Sequence, residues 1–254
     1  MNRLLSALGA ALARYLVQPV RAHGASPATS QHLLERALQP GDVLLVEGTS
    51  RIAVIINYLT QSTWSHAALY VGPIFDAPGP HGETLLFVEA DTVEGVRAVG
   101  FREFAGYHCR ICRPVRLSAP DLARLIGYAR DHIGMKYDLR NVFDLLRYLL
   151  PPLPVPRRFR RRLIALGSGD PTRAICSTLL ARAFGAIRYP ILPELTPEQL
   201  EDESCLDYER QRLHIRRCNL IVPRDFDVSP YFEIVKPSLV AGFDYRRLPW
   251  IVER

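Results

Sequence analysis

Five strand-like segments crowd into residues 42–115, with helical patterns on either side, and this segregation limits the fold more than any other feature of the chain. Asp42-Val43-Leu44-Leu45-Val46 reads as a buried strand. Ser65 to Val71, Thr84 to Ala90, Val96 to Phe101 and Tyr107 to Val115 follow as four more, the last reached through a short turn of helix near Glu103. Arg51 to Leu59 interrupts them; its β-branched residues suit a strand, but its continuous apolarity between two strands favours a buried helix. Helices are expected at Ser30 to Leu38 before Pro40-Gly41, and from Ser118-Ala119-Pro120-Asp121 to about His132. Three more are expected at Asp138 to Leu150, Arg157 to Leu166 and Ile175 to Phe184. Strands gathered in one part of the chain and helices in others predict an α+β fold with a mainly antiparallel sheet and helices packed on it.

The chain is long enough to hold such a sheet without staples. At 254 residues it buries roughly 70–75% of its unfolded surface. A hydrophobic fraction of 48% and a charged fraction of 23% exclude a collagen, a disordered chain, a disulfide miniprotein and a multi-pass membrane protein. The five cysteines, Cys109, Cys112, Cys176, Cys205 and Cys218, form no regular framework and an odd one would be left over. They read as reduced thiols, which points to the cytoplasm. The net charge of +6 suits an anionic surface without identifying one.

Two segments bear on membranes. Leu5, Leu8, Leu12, Tyr15 and Leu16 fall on one helical face near Arg3 and Arg14, so the first 20 residues read as an amphipathic helix, packed on its own domain or lying on a bilayer. Arg3 ahead of the short apolar run also leaves a secretory signal open, although Arg14 interrupts the run and no clear cleavage site follows. Arg157-Arg158-Phe159-Arg160-Arg161-Arg162 is either a solvated face or a contact for anionic lipid head groups. No nucleic-acid module surrounds it, and no nucleic-acid partner is expected.

The chemistry concentrates in three places. His66 lies in Trp64-Ser65-His66-Ala67-Ala68-Leu69-Tyr70, an ionisable ring in a mostly apolar strand; a core histidine held by one hydrogen bond is the plainer alternative. Glu89 closes Leu85-Leu86-Phe87-Val88, where a carboxylate is costly to bury unless paired. An adjacent strand would set it against His66 and orient the imidazole, whereas a strand-end glutamate would turn to water. Cys176 stands in the first turn of the expected Ile175 helix, where unpaired N–H groups and the helix dipole favour a thiolate, though many such cysteines are buried and inert. Together they are the parts of a thiol nucleophile with an oriented base. His108-Cys109-Arg110-Ile111-Cys112 contains C-x-x-C, but on a strand the two thiols point to opposite faces, and no second pair completes a four-ligand site.

The run Gly41 to Val46, the His66 strand ending in Tyr70-Val71-Gly72, the Val88-Glu89-Ala90 strand end, the Ile175-Cys176-Ser177 helix start and Gly134-Met135-Lys136-Tyr137-Asp138 together resemble the YaeF/YiiX group. These are permuted papain-like amidases within the broad NlpC-type superfamily, which also holds the lecithin:retinol acyltransferase-like enzymes. The resemblance runs from about Pro40 to Phe184, with histidine first and cysteine last. It implies a circularly permuted papain-like fold, with Cys176 as nucleophile, His66 as general base and then acid, and Glu89 as the orienting group. Asp42 and Tyr137 would be substrate-binding residues. An acidic residue often follows the family's cysteine and serine; Thr178 stands there instead, which touches only a flanking contact. The implied organisation is a helical extension over 1–39, a catalytic domain over 40–190 and a tail over 191–254 that wraps the same domain in short elements.

The expected activity is therefore cleavage of an amide bond in a small molecule, peptide or lipid through an acyl-thioester, with no metal or cofactor. A lipid acyltransferase or thioesterase at an anionic membrane, held by residues 1–20 and Arg157 to Arg162, is the alternative, and a non-catalytic binding module the third.

Overall fold

The computed structural model describes residues 15, 18–20, 30–91, 94–136, 175–197, 211–242, 244 and 246. Nearly all of the N-terminal amphipathic stretch, Tyr137, the expected helices at 138–150 and 157–166, and the Arg157 to Arg162 run lie outside the described residues.

Alternation of side chains builds the sheet. The strands β1 (Val43–Val46), β2 (His66–Tyr70), β3 (Phe87–Asp91), β4 (Gly95–Val99), β5 (Cys109–Pro114) and β8 (Phe232–Val235) form a six-stranded sheet in the order β4-β3-β2-β1-β5-β8, every neighbour antiparallel. Val43, Leu45, Ala67, Leu69, Val88, Ala90 and Cys112 enter one apolar cluster; Leu44, Val46, Ala68, Phe87, Cys109 and Ile111 enter the other. The sheet is thus covered on both faces, and its central strands β1 and β2 are apolar at nearly every position for that reason.

Between them run short helices with legible ends. Helix α1 (Gln31–Ala37) starts at Ser30, whose hydroxyl accepts from the Leu33 amide, and packs Leu34 and Ala37 into the second cluster. Helix α2 (Arg51–Thr60) is capped by Ser50 and stops at Gln61, in the left-handed region at φ 53°. The expected turn near Glu103 is a 3-10 helix, Phe101–Phe104; its two phenylalanines pack edge-on against Phe87. Helix α3 (Ala119–Asp131) begins at the Ser118 cap. Helix α4 (Ile175–Ala186) packs on α3, β2 and β3 and puts Leu179, Leu180, Ala183 and Phe184 into the first cluster. Among the described residues no helix is long and apolar enough to cross a membrane.

The segment after Pro190 does consist of short elements: β6 (Glu194–Pro197) paired with β7 (Gln211–His214), a 3-10 turn (Cys218–Leu220), α5 (Pro223–Asp227), β8 and α6 (Pro237–Val240). It goes beyond a surface wrap. Strand β8 pairs with β5 and extends the sheet, while Ile221, Phe226 and Phe232 are core residues. Phe226 and Phe232 meet edge-on and both face Phe184 of α4. Their apolar surface has no other place to go, which is how a polar, proline-rich stretch becomes part of the core.

Candidate active site

His66 opens β2 at the end of the sheet where β1 finishes, directly opposite Val46. The approach to it is fixed by Ser65, a buried hydroxyl that accepts the Gly48 amide at 2.9 Å, and by buried Trp64. The β2–β3 register pairs Leu69 with Val88; continued one step it sets Glu89 opposite Ala68, diagonal to His66 and on the same side of the strands. The glutamate reaches across that diagonal. Glu89 Oε2 lies 2.7 Å from His66 Nε2. Its side chain is 3% exposed and that of His66 28%, so the carboxylate is sealed while the ring keeps an opening to solvent.

Cys176, buried in the first turn of α4, acts electrostatically on the His66 ring from the other element that borders it. Three side chains from β2, β3 and α4 therefore act on one another, with His66 between Glu89 and Cys176 in its electrostatics. Burial pulls the His66 pKa down, but the Cys176 sulfur and the Glu89 carboxylate outweigh it and hold the imidazole well above its ordinary value. Burial pushes Glu89 up in turn; His66 and Arg97 reverse this and leave its carboxyl below the usual range.

Arg97 is the member that sequence reasoning passed over. It stands directly opposite Glu89 in the β3–β4 register and grips Oε1 with Nε at 2.9 Å and Nη2 at 2.7 Å. The available signal was an arginine inside Val96-Arg97-Ala98-Val99, a charge in an apolar strand that needs a partner. Gly95 shapes this corner. It holds φ 86°, and a Cβ there would sit 2.3 Å from the Met135 carbonyl, so only glycine lets the end of α3 close on β4. The Val96 amide donates to that carbonyl and the Gly134 amide to Val96 O. The described half of Gly134-Met135-Lys136-Tyr137-Asp138 thus lies against the strand that carries Arg97.

Asp42 is elsewhere. It precedes β1 at the end of the sheet away from His66, buried, accepting from Arg113 Nε at 2.9 Å, Arg113 Nη2 at 2.7 Å and the Gln39 amide at 2.8 Å. Arg113 also donates to Ala37 O, so the pair ties α1 to β5. Four strand residues, roughly 13 Å, separate its end of β1 from the His66 end. The structure does not bring Asp42 to the other three; its acceptors are used for folding. Cys109 and Cys112 lie on β5 in opposite clusters, as strand alternation requires. Burial pushes the Cys109 thiol up to about 12, and Cys112 rises as well. Among the described residues no group of three or more His, Cys, Asp or Glu is arranged to hold a metal ion.

A histidine, a glutamate and a cysteine in that chain order, the first two hydrogen-bonded on an antiparallel sheet with the third at a helix start, resemble the permuted papain-like class. The family model described as permuted papain-like amidase enzyme, YaeF/YiiX, C92 family, matches residues 37–146, a stretch that includes His66, Glu89 and Arg97 and ends before Cys176. The resemblance read from the sequence is therefore borne out: the chain is a cysteine amidase-like hydrolase with a permuted papain-like α+β fold. Among solved structures, the metalloprotein yiiX from Escherichia coli O157:H7 is similar at 15% identity and a TM-score of 0.46, over 79% of this chain and 97% of that one. No curated protein matches the chain.

Proposed function

We propose that Cys176 is the nucleophile of an amidase that cleaves its substrate through an acyl-thioester, with His66 as the proton carrier and Glu89 as its orienting group. The single observation that supports this most is the buried Glu89 carboxylate held 2.7 Å from the ring of His66, a ring on which Cys176 of α4 also acts. In the first half-reaction the sulfur bonds to the amide carbonyl carbon, the C–N bond breaks, and the imidazolium gives its proton to the departing amine. In the second, neutral His66 takes a proton from water, the resulting hydroxide adds to the thioester carbon, and the C–S bond breaks to release a carboxylic acid and restore the sulfur. The backbone N–H of Cys176, at the positive end of α4, suits the developing oxyanion. Glu89, already held as an anion by Arg97, steadies the imidazolium without taking its proton.

The substrate class proposed is an amide of a small molecule, peptide or lipid. A thiol-reactive acyl probe is expected to label the wild-type chain and not Cys176→Ala; equal labelling of both would overturn the assignment. Product analysis then separates hydrolysis, which gives the free acid, from transfer of the acyl group to another acceptor.

A further inference from the structure

We propose that Arg97 is a positioning residue for the proton relay: it divides the two oxygens of Glu89, locking Oε1 to itself so that Oε2 stays aimed at His66 and the carboxylate stays anionic. The inference rests on the cysteine-hydrolase reading and adds a fourth member to it. Its basis is geometric. A carboxylate with only one partner rotates about its last bond and presents either oxygen; here one oxygen accepts Nε–H of the planar Arg97 fork and sits 2.7 Å from Nη2, while the other faces the ring. The fork is itself anchored. Arg97 Nη1 reaches Glu94 Oε2 at 3.0 Å, and Nη2 also reaches Glu103 Oε1 at 2.7 Å.

The charges around Glu89 then come from each neighbouring element: His66 on β2 with Cys176 of α4 behind it, Arg97 on β4, and, acting through Arg97, Glu94 before β4, Asp91 at the end of β3 and Glu103 on the 3-10 turn. A carboxyl that is 3% exposed prefers to be neutral, and a neutral Glu89 no longer stabilises an imidazolium. Arg97 prevents that protonation. Because the guanidinium keeps its charge throughout the working range, the effect reaches into mild acid, where the relay would otherwise fail first. Lysine brings the charge without the fork, so the two contributions separate by substitution.

The test is the rate at which iodoacetamide alkylates Cys176 between about pH 4 and pH 9, read by mass spectrometry on the full chain, for wild type, Arg97→Met, Arg97→Lys and His66→Ala. For Arg97→Met the acid limb is expected to move toward neutrality, so that the rate at pH 5 falls by roughly tenfold while the rate at pH 8 changes by less than about threefold. Arg97→Lys should move the limb in the same direction by less. A purely structural role would lower the reactive fraction equally at every pH. Superimposed profiles for wild type and Arg97→Met, or a limb displaced toward acid, overturn the inference. Should Arg97→Met lose its circular dichroism signal, the Arg97→Lys profile decides in its place by the same criteria. His66→Ala separates the two levels. A wild-type profile in that variant sinks the hydrolase reading itself, whereas a flattened one beside unchanged Arg97 variants sinks only the role of Arg97.

Discussion

Trp64 donates its indole N–H to Asp227 Oδ2 at 3.0 Å, joining the residue two places before His66 to the last residue of α5. Asp227 holds Arg110 Nη1 with its other oxygen at 2.5 Å, the guanidinium lies 4.9 Å above the Trp64 ring, and His108 stacks on that ring with centroids 5.4 Å apart. A helix from the C-terminal segment is thus bolted to the approach of the strand that carries the proposed base. Ser177, the residue after Cys176, makes a matching link from the other side, donating its hydroxyl to Ile221 O at 2.7 Å. Both His66 and Cys176, the proposed base and nucleophile, take support from chain beyond the matched family region.

Asp227→Ala should lower stability by about 1–3 kcal/mol, because it leaves the N–H of a 3% exposed tryptophan without an acceptor. The Arg110 pair adds little to that figure, since its side chain is 39% exposed and screened by water. Asp227→Asn keeps an acceptor for Trp64 and should recover most of the loss. Urea unfolding of the three proteins measures this; an unchanged midpoint for the alanine variant would show that the link is incidental.

How much of this was legible in the sequence depended on whether a residue's partner was local. The helix starts at Ser30 and Ser118, and the opposite-facing Cys109 and Cys112, follow from caps and strand period, which act over a few residues. His66, Glu89 and Cys176 were visible as residue types in unusual surroundings. Arg97 was missed because its meaning lies in the register of β3 against β4, which no local pattern prints. Asp42 shows the converse: its pairing with Arg113, 71 residues on, engages both its oxygens and is not written in the local sequence. The core role of Phe226 and Phe232 was hidden by the polar, proline-rich composition around them.

The relay should leave a signature in stability against pH. Glu89 is held below its ordinary value near 4.5, so its pairing contributes in full above that pH and is lost as pH falls through the lower native value. His66 is held above its ordinary value near 6.5, so its share is complete below that pH and is lost as pH rises through the higher native value. The two windows overlap from mildly acidic conditions to beyond neutrality. The stability difference between wild type and Glu89→Gln should peak in that overlap and shrink toward both extremes. Denaturant unfolding at a series of pH values reads it directly; a difference that grows steadily into alkali contradicts the assignment of His66 as the cationic partner.

Glu89→Gln, His66→Ala and Cys176→Ala should differ in degree for a reason that the geometry supplies. Without Cys176 there is no atom to carry the acyl group, and without His66 no group moves the proton between sulfur and leaving amine, so each single loss should cost roughly what losing both costs. Glu89 transfers nothing. Glutamine keeps an oxygen that can face His66 Nε2, but it is neutral, and it can also turn its amide nitrogen toward the ring and favour the wrong tautomer. Activity should therefore fall well below wild type yet remain above that of the other two variants, with the loss in kcat rather than KM because the carboxylate lies behind the ring, away from substrate. The measurement is turnover of any amide that the wild-type chain cleaves, with the double variant His66→Ala/Cys176→Ala as reference. Full activity in Glu89→Gln would mean that the buried carboxylate serves folding alone, and a loss confined to KM would place it in substrate binding instead.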